Sequence, residues 1–315
     1  MAIVIVSSCS SDTPTARSGS EGSNPGAASA AAQSGSASAT APSSAGPCGA
    51  SASSATSVKH VIWLWMENHT AESVFGRPDA PVENMLKDQC GSSATYQSVG
   101  SPSLPNYLGA TSGDTNGVAD DAPPADHPLT SDNLFRQTRA AGRTSRSYEE
   151  AMTSPCQLDG AGRYAVKHNP AAYYAGEQDR AACLQDDVAL GDPANGPLAD
   201  DLARDTLPAF AFITPDLCHD THDCPVVDGD RWLAQWLPTL LDSAAYRSGT
   251  TVLFIVWDEP TPMPLLVIAP SVPSGTTTVE PFNHYSLLRT TEELLGLPLI
   301  GQAAHADSMR SAFGL

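Results

Sequence analysis

The chain has 315 residues, 41% of them apolar, enough to bury a sizeable core. It carries 16 basic residues against 35 acidic ones, a formal net charge of −19, which argues against a phosphate-backbone binder and against charge-driven docking on anionic lipid. Its 26 prolines and 6% aromatic content exclude a coiled coil, and no apolar run reaches the roughly 18 residues of a membrane span.

In chain order, residues 1–9 end in Val6-Ser7-Ser8-Cys9, an apolar residue and two small ones before a cysteine. This resembles a bacterial lipobox behind a truncated signal segment, with Cys9 as the lipidated residue. Residues 10–56 are mostly Ser, Ala, Gly, Thr and Pro, with Asp12, Arg17 and Glu21 as their only charges. Such a stretch cannot bury enough apolar surface to offset its ordering entropy, and it reads as a disordered tether. One domain is expected over residues 57–315.

That domain opens with an almost continuous apolar run, Val58–Met66, rich in β-branched and aromatic residues as a doubly covered strand is. Leu207–Ile213, Thr251–Trp257 and Leu265–Ala269 have the same character. Helical patterns lie between and after them, at Asn106–Thr111, Ser131–Ala141, Asp230–Leu241 and His284–Leu295. Buried strands alternating with amphipathic helices predict an α/β fold with a mostly parallel sheet between two helical layers.

Ligands of such sheets bind beyond the carboxyl ends of the strands. Here the runs end in Glu67-Asn68, in Asp258-Glu259 and in Thr214-Pro-Asp216. Oxygen ligands suit hard cations and mixed oxygen and nitrogen sets suit Zn, Mn or Fe, although the same residue types also cap helices. Setting Cys9 aside leaves Cys48, Cys90, Cys156, Cys183, Cys218 and Cys224, an even set that reads as three disulfides in an exported chain. Sequence leaves the pairing open; order along the chain favours 48–90, 156–183 and 218–224, each closing a local loop.

Ser101-Pro-Ser-Leu-Pro-Asn-Tyr-Leu-Gly-Ala-Thr-Ser-Gly113, taken with Trp65-Met-Glu-Asn68, resembles the phosphoesterase family of bacterial acid phosphatases and phospholipases C. That family belongs to the alkaline-phosphatase-like superfamily. Lys167-His-Asn-Pro170, Asp216–Cys224, Val256-Trp-Asp-Glu259 and His284–Arg289 match in the same order, over roughly residues 57–300. The resemblance implies a three-layer α/β/α sandwich and a phosphoric-ester hydrolase, with a metal ion on Glu67, Asn68, Ser103, Asp258 and Glu259. It also implies Ser103 as nucleophile, with Ser101 the competing hydroxyl.

Physical chemistry agrees: Pro105 is tolerated in a first helical turn, which puts Ser103 at a helix N-terminus, where an anionic oxygen is favoured. Asn106, one turn on, could donate to a phosphoryl oxygen. His222 is the expected donor to the leaving alcohol. His168, Asn169, His219, Asp223 and His284 fall on or near substrate-binding positions. Each also has a plainer reading as a surface loop or helix-start residue. Tyr148-Glu149-Glu150 either supplies a site carboxylate or is a solvated face.

One divalent metal is expected, among Mg, Ca, Mn, Zn and Fe. A second is left open because Asp216, His219 and His222 depart from the usual spacing of a second ligand set. The expected substrate is a phosphate ester, most readily a monoester, with phosphodiesters, phospholipids and phosphoinositides as alternatives. A non-catalytic surface lipoprotein is the reading from another class. The chain is expected to be a monomer, extracellular or on the surface of a bacterium, touching membrane only through a lipid on Cys9.

Overall fold

The computed structural model describes residues 46–50 and 57–315. The lipobox-like segment and Cys9 lie outside the described residues, as does most of the 10–56 stretch. Where that stretch is described, it is docked onto the domain. Cys48 is joined to Cys90, and the Tyr246 hydroxyl donates to the Pro47 carbonyl over 2.6 Å. A cysteine and two specific contacts outweigh local low complexity at Gly46–Ala50.

Eight strands form one sheet: β1 (His60–Met66), β2 (Gly91–Tyr96), β3 (Ser145–Glu149), β4 (Asp187–Ala189), β5 (Phe210–Thr214), β6 (Thr251–Trp257), β7 (Met263–Ile268) and β8 (Thr277–Thr278). Their order is β4-β3-β5-β1-β6-β7-β2-β8. All pair in parallel except β7, which runs antiparallel to both β6 and β2. The run at 265–269 is therefore the one reversed strand. A short connection out of β6 leaves no room for a helical crossover, which a parallel neighbour would need.

β1 is central, and its side chains alternate between two helical layers. Trp63 donates from Nε1 to Thr291 Oγ1 of helix His284–Leu295, 2.9 Å away. Trp65 lies with its ring centre 4.5 Å from that of Tyr107 on helix Ser103–Ser112, and 4.9 Å from that of His284. Met66 faces the other way, towards Gly229 of helix Val226–Asp242, where a Cβ would come within 2.8 Å of its methyl carbon. The same Cβ would lie 2.4 Å from Thr221, so glycine is what lets the 219–221 loop settle on this helix. Both faces of β1 are thus covered, the condition under which a strand reads as unbroken apolar sequence.

Four strands were not visible in the apolar pattern. β2 is Gly-Ser-Ser-Ala-Thr-Tyr and β3 is Ser-Arg-Ser-Tyr-Glu; β4 and β8 are only three and two residues long. The three local disulfides form as favoured, 48–90, 156–183 and 218–224. No helix among the described residues is long and apolar enough to cross a membrane.

Candidate active site

Sheet register builds the site. β1 and β6 pair in parallel with Met66 opposite Trp257, so the next residues, Glu67 and Asp258, leave the sheet side by side. Asn68 follows at φ +52°, a left-handed conformation that Asn tolerates better than most residues. This turns its backbone N–H onto Asp258 Oδ1, 3.2 Å away. Ser103 is the first residue of its helix and donates from Oγ to Glu67 Oε2 over 3.2 Å. Tyr107, one turn further, donates its hydroxyl to Glu67 Oε1.

The fourth wall is the loop closed by Cys218–Cys224. Its Asp220 carbonyl accepts the Glu67 N–H over 2.8 Å, and Thr221 Oγ1 donates to the Glu67 carbonyl over 3.0 Å. Thr221 sits at φ +77°, a strained position for a β-branched residue, held by these contacts and by the disulfide. His168, ending the 3₁₀ turn Val166–His168, lies between two carboxylates. Nε2 is 3.3 Å from Glu67 Oε1 and Nδ1 is 3.2 Å from Asp220 Oδ2, neither aligned as a hydrogen bond. Its ring stacks on Tyr107, with centres 5.2 Å apart.

Three carboxylates so enclosed repel one another. Burial first, then Asp258 and Asp220, holds the Glu67 carboxyl well above the usual range. Burial pushes Asp258 up to about 7 and Asp220 up to about 8. Burial, and then the Lys167 charge, holds the His168 imidazole well below its ordinary range. Such a group of acids must take up either protons or a cation.

The polar atoms left over favour a cation. Asn68 Oδ1, Asp220 Oδ2, Asp258 Oδ2 and both His168 nitrogens are buried without a hydrogen-bond partner. Unpartnered oxygens of carboxylate and amide type, beside a hydroxyl and an imidazole, fit a hard or borderline divalent ion. Glu67, Asn68, Ser103 and Asp258 would hold it, with Glu259, half-buried and next in the chain to Asp258, as the further expected ligand.

The other expected residues divide. Asn106 Oδ1 accepts the Val99 and Gly100 N–H groups at 2.9 and 2.8 Å and so shapes the loop before Ser103. Its Nδ2 makes a 3.4 Å contact to the Pro102 carbonyl. His222 stands beside His168 with ring centres 5.7 Å apart, within ligand distance of Glu67, and holds Asp223 Oδ1 at 2.7 Å through Nδ1.

Three expectations are corrected. Asn169 is buried away from the rim, donating to Asp187 Oδ2 at 2.8 Å and to the Tyr164 hydroxyl at 3.0 Å; it packs the 166–170 turn onto β4. His284 has both nitrogens in use, Nε2 on the Asp258 carbonyl at 2.9 Å and Nδ1 on the Tyr96 hydroxyl at 3.1 Å. Burial lowers its pKa to about 4, so it is a neutral brace for the Asp258 backbone rather than a substrate contact. His219, expected among the substrate-binding residues, instead faces Glu150 at 2.9 Å and Asp216 at 3.5 Å, whereas His222 groups with Glu67 and His168. The tight turn at Asp220-Thr221 separates the two histidines, so Asp216, His219 and His222 do not form one ligand set.

Sequence reasoning missed Tyr107, Asp220, Lys167 and Asp121. Tyr107 follows Ser103 by four residues, and helical period puts both on one face. Asp220 and Lys167 lie inside the matched segments without a role of their own. Asp121 gave no signal beyond its charge.

A sequence model described as the Phosphoesterase family matches residues 63–298. A phosphatidylinositol-3-phosphatase of Mycobacterium tuberculosis is 27% identical over 270 residues, 84% of this chain and 86% of that protein. An acid phosphatase of Aspergillus fumigatus is 27% identical over 260 residues, but this chain spans only 55% of its length. Among solved structures, an alkaline phosphatase superfamily protein from Vibrio parahaemolyticus aligns with a TM-score of 0.54 at 14% identity, covering 81% of this chain and 72% of that one. Human ectonucleotide pyrophosphatase/phosphodiesterase 5 also gives 0.54, at 9% identity, covering 81% of this chain and all of that one. At such identities the likeness is one of fold.

Proposed function

This chain belongs to the Phosphoesterase family and is a phosphoric-ester hydrolase, and we propose that it is a metal-dependent phosphomonoesterase of the acid phosphatase type with Ser103 as nucleophile. The observation that carries the reading is the meeting of the Ser103 hydroxyl with Glu67 while Asn68 Oδ1 and Asp258 Oδ2 lie buried and unpartnered beside them. A divalent ion on these groups would lower the pKa of the serine hydroxyl and neutralise phosphoryl charge.

Ser103 Oγ gives its proton to Glu67 Oε2, to which it donates over 3.2 Å, and attacks phosphorus in line. The bond from phosphorus to the leaving oxygen breaks, and that oxygen takes a proton from His222. Asn106 Nδ2 donates to a phosphoryl oxygen. Water then attacks phosphorus and gives a proton to His222, and the bond from phosphorus to Ser103 Oγ breaks as that oxygen takes its proton back from Glu67. Phosphoryl transfer rewards positioning and charge neutralisation, so this set of groups suffices.

A second reading narrows the substrate. The mycobacterial relative named a phosphatidylinositol-3-phosphatase is matched over 86% of its length, which favours a phosphoinositide monoester among the substrates to try. Three disulfides favour an exported chain, and a lipid on Cys9 would tether it to a bacterial surface.

The test is p-nitrophenyl phosphate turnover after chelation and reloading with Mg, Mn, Ca, Zn or Fe, beside phosphatidylinositol 3-phosphate and phosphatidylcholine. Ser103→Ala is expected to lower kcat by roughly 10³-fold or more. Near-wild-type turnover of that variant would reject Ser103. Absence of turnover on every ester with every metal would favour a non-catalytic surface protein.

A further inference from the structure

Lys167 precedes the buried His168 but keeps 21% of its own side chain exposed, at the mouth of the site. Its Nζ is 3.0 Å from Asp121 Oδ2 and 3.5 Å from His222 Nε2. Its positive charge is felt together with the carboxylates of Glu67 and Asp258. The other oxygen of the same Asp121 carboxylate, Oδ1, accepts the backbone N–H of Leu104 over 3.0 Å. Leu104 adjoins Ser103. Two donors, one cationic and one from the backbone, thus converge on a single carboxylate at the start of the helix that carries Ser103. Asp121 is itself partly exposed, on the loop between helices Ser103–Ser112 and Leu134–Ala140.

We propose that Lys167 is a substrate-binding residue that decides for monoesters over diesters, and that Asp121 holds its place until the substrate arrives. The inference rests on the phosphoryl-transfer reading of the Ser103 site. The chemistry is one of counting oxygens. A phosphate monoester dianion presents three non-bridging oxygens and two charges. A diester presents two such oxygens and one charge, with an ester oxygen and its substituent in the third position. The extra anionic oxygen of the monoester is the group able to displace the Asp121 carboxylate and take both Lys167 Nζ and Leu104 N–H as donors. An esterified oxygen is uncharged and a poor acceptor, and its substituent would meet Asp121 instead. In a chain of net charge −19, a cation at this mouth also offsets the repulsion of an incoming dianion by Glu67, Asp220 and Asp258. As Lys167 turns to the substrate, it releases His222 Nε2.

Lys167→Met and Lys167→Arg, measured on p-nitrophenyl phosphate and on bis(p-nitrophenyl) phosphate, test this. For Lys167→Met, kcat/KM on the monoester is expected to fall about 100-fold and on the diester less than about fivefold, with Lys167→Arg in between. Equal losses on both esters would reduce Lys167 to a structural role, and no loss would remove it from the site. Calorimetry with inorganic phosphate reads the seat without turnover. Affinity is expected to weaken about tenfold in Lys167→Met and to tighten in Asp121→Asn, where the competing carboxylate has lost its charge. Phosphate affinity unchanged in Lys167→Met, weakened in Asp121→Asn, or absent in the wild-type protein would overturn the proposal. Turnover persisting in Ser103→Ala would sink the nucleophile instead, while the ester ratio and the phosphate isotherm would still decide on Lys167.

Discussion

Two clusters of nearly the same composition lie along this side of the sheet. One gathers Glu67, Asp220, His168 and His222; the other gathers Glu150, Asp216 and His219. The second is partly exposed and closes on itself. Glu150 Oε2 accepts the Asp216 N–H at 2.9 Å and faces His219 Nδ1 at 2.9 Å, while Asp216 Oδ1 accepts the N–H groups of Cys218 and His219. The first is buried except for His222, and it leaves Asp220 Oδ2 and both His168 nitrogens without partners. Composition therefore does not mark a site. What sets the first apart is that unpartnered buried oxygens and imidazole nitrogens gather around the residues that meet the Ser103 hydroxyl, where a ligand can relieve their cost; unpartnered atoms away from it, as at Glu83, do not by themselves mark a site.

The sharpest way to break that contrast is to remove one carboxylate from each cluster. Glu67→Gln is expected to lose bound divalent metal and about 10³-fold in turnover, whereas Glu150→Gln keeps its metal and changes turnover less than about threefold. Metal analysis beside p-nitrophenyl phosphate kinetics reads both, and equal losses would erase the distinction. Cutting the loop that separates the clusters should cost less. In Cys218→Ser/Cys224→Ser, Asp220 and His222 lose the clamp on their position, and kcat is expected to fall about tenfold, with secondary structure by circular dichroism unchanged. Wild-type kcat in that double variant would show that the loop holds its form by packing alone.

The smallest effect concerns a buried carboxyl that belongs to neither cluster. Glu83 lies beside Asp230, between helices Pro81–Gln89 and Val226–Asp242, and burial, then the Asp230 charge, pushes it up to about 9. The folded chain keeps this proton while the unfolded chain gives it up in the ordinary glutamate range. Stability from Glu83 is thus fully present at low pH and is lost as pH rises towards about 9. Glu83→Gln should melt at the wild-type temperature near pH 4 and roughly 3 °C or more higher at pH 8, without change in kcat. A flat difference across pH, or lost activity, would show that this acid is not the bystander its position indicates.

Legibility in the sequence followed burial. β1, β5, β6 and β7 could be read because covering on both faces leaves an unbroken apolar run, which stopped at Glu67 after β1, at Asp258 after β6 and at Thr214-Pro-Asp216 at the end of β5. β2 and β3 could not, since small and polar residues there serve pairing rather than an apolar core. Helix Ser103–Ser112 starts three residues before the apolar pattern does, because Pro105 fits its first turn. Asn169 and His284 looked like site residues because they stand in matched segments, yet their hydrogen bonds commit them to Asp187 and to the Asp258 backbone.

By itself the sequence determined which strands are central, which acids follow them, and that a hydroxyl stands at the start of a helix. Those are local matters, set by apolar period and by the residues that end it. Only the tertiary structure decided that Asp220 rather than Asp216 faces His168, that Asp121 reaches Lys167 across 46 positions, and which polar atoms remain unsatisfied. Those depend on where loops close in space, and loop closure is fixed by long-range packing and cross-links, which leave no period in the chain.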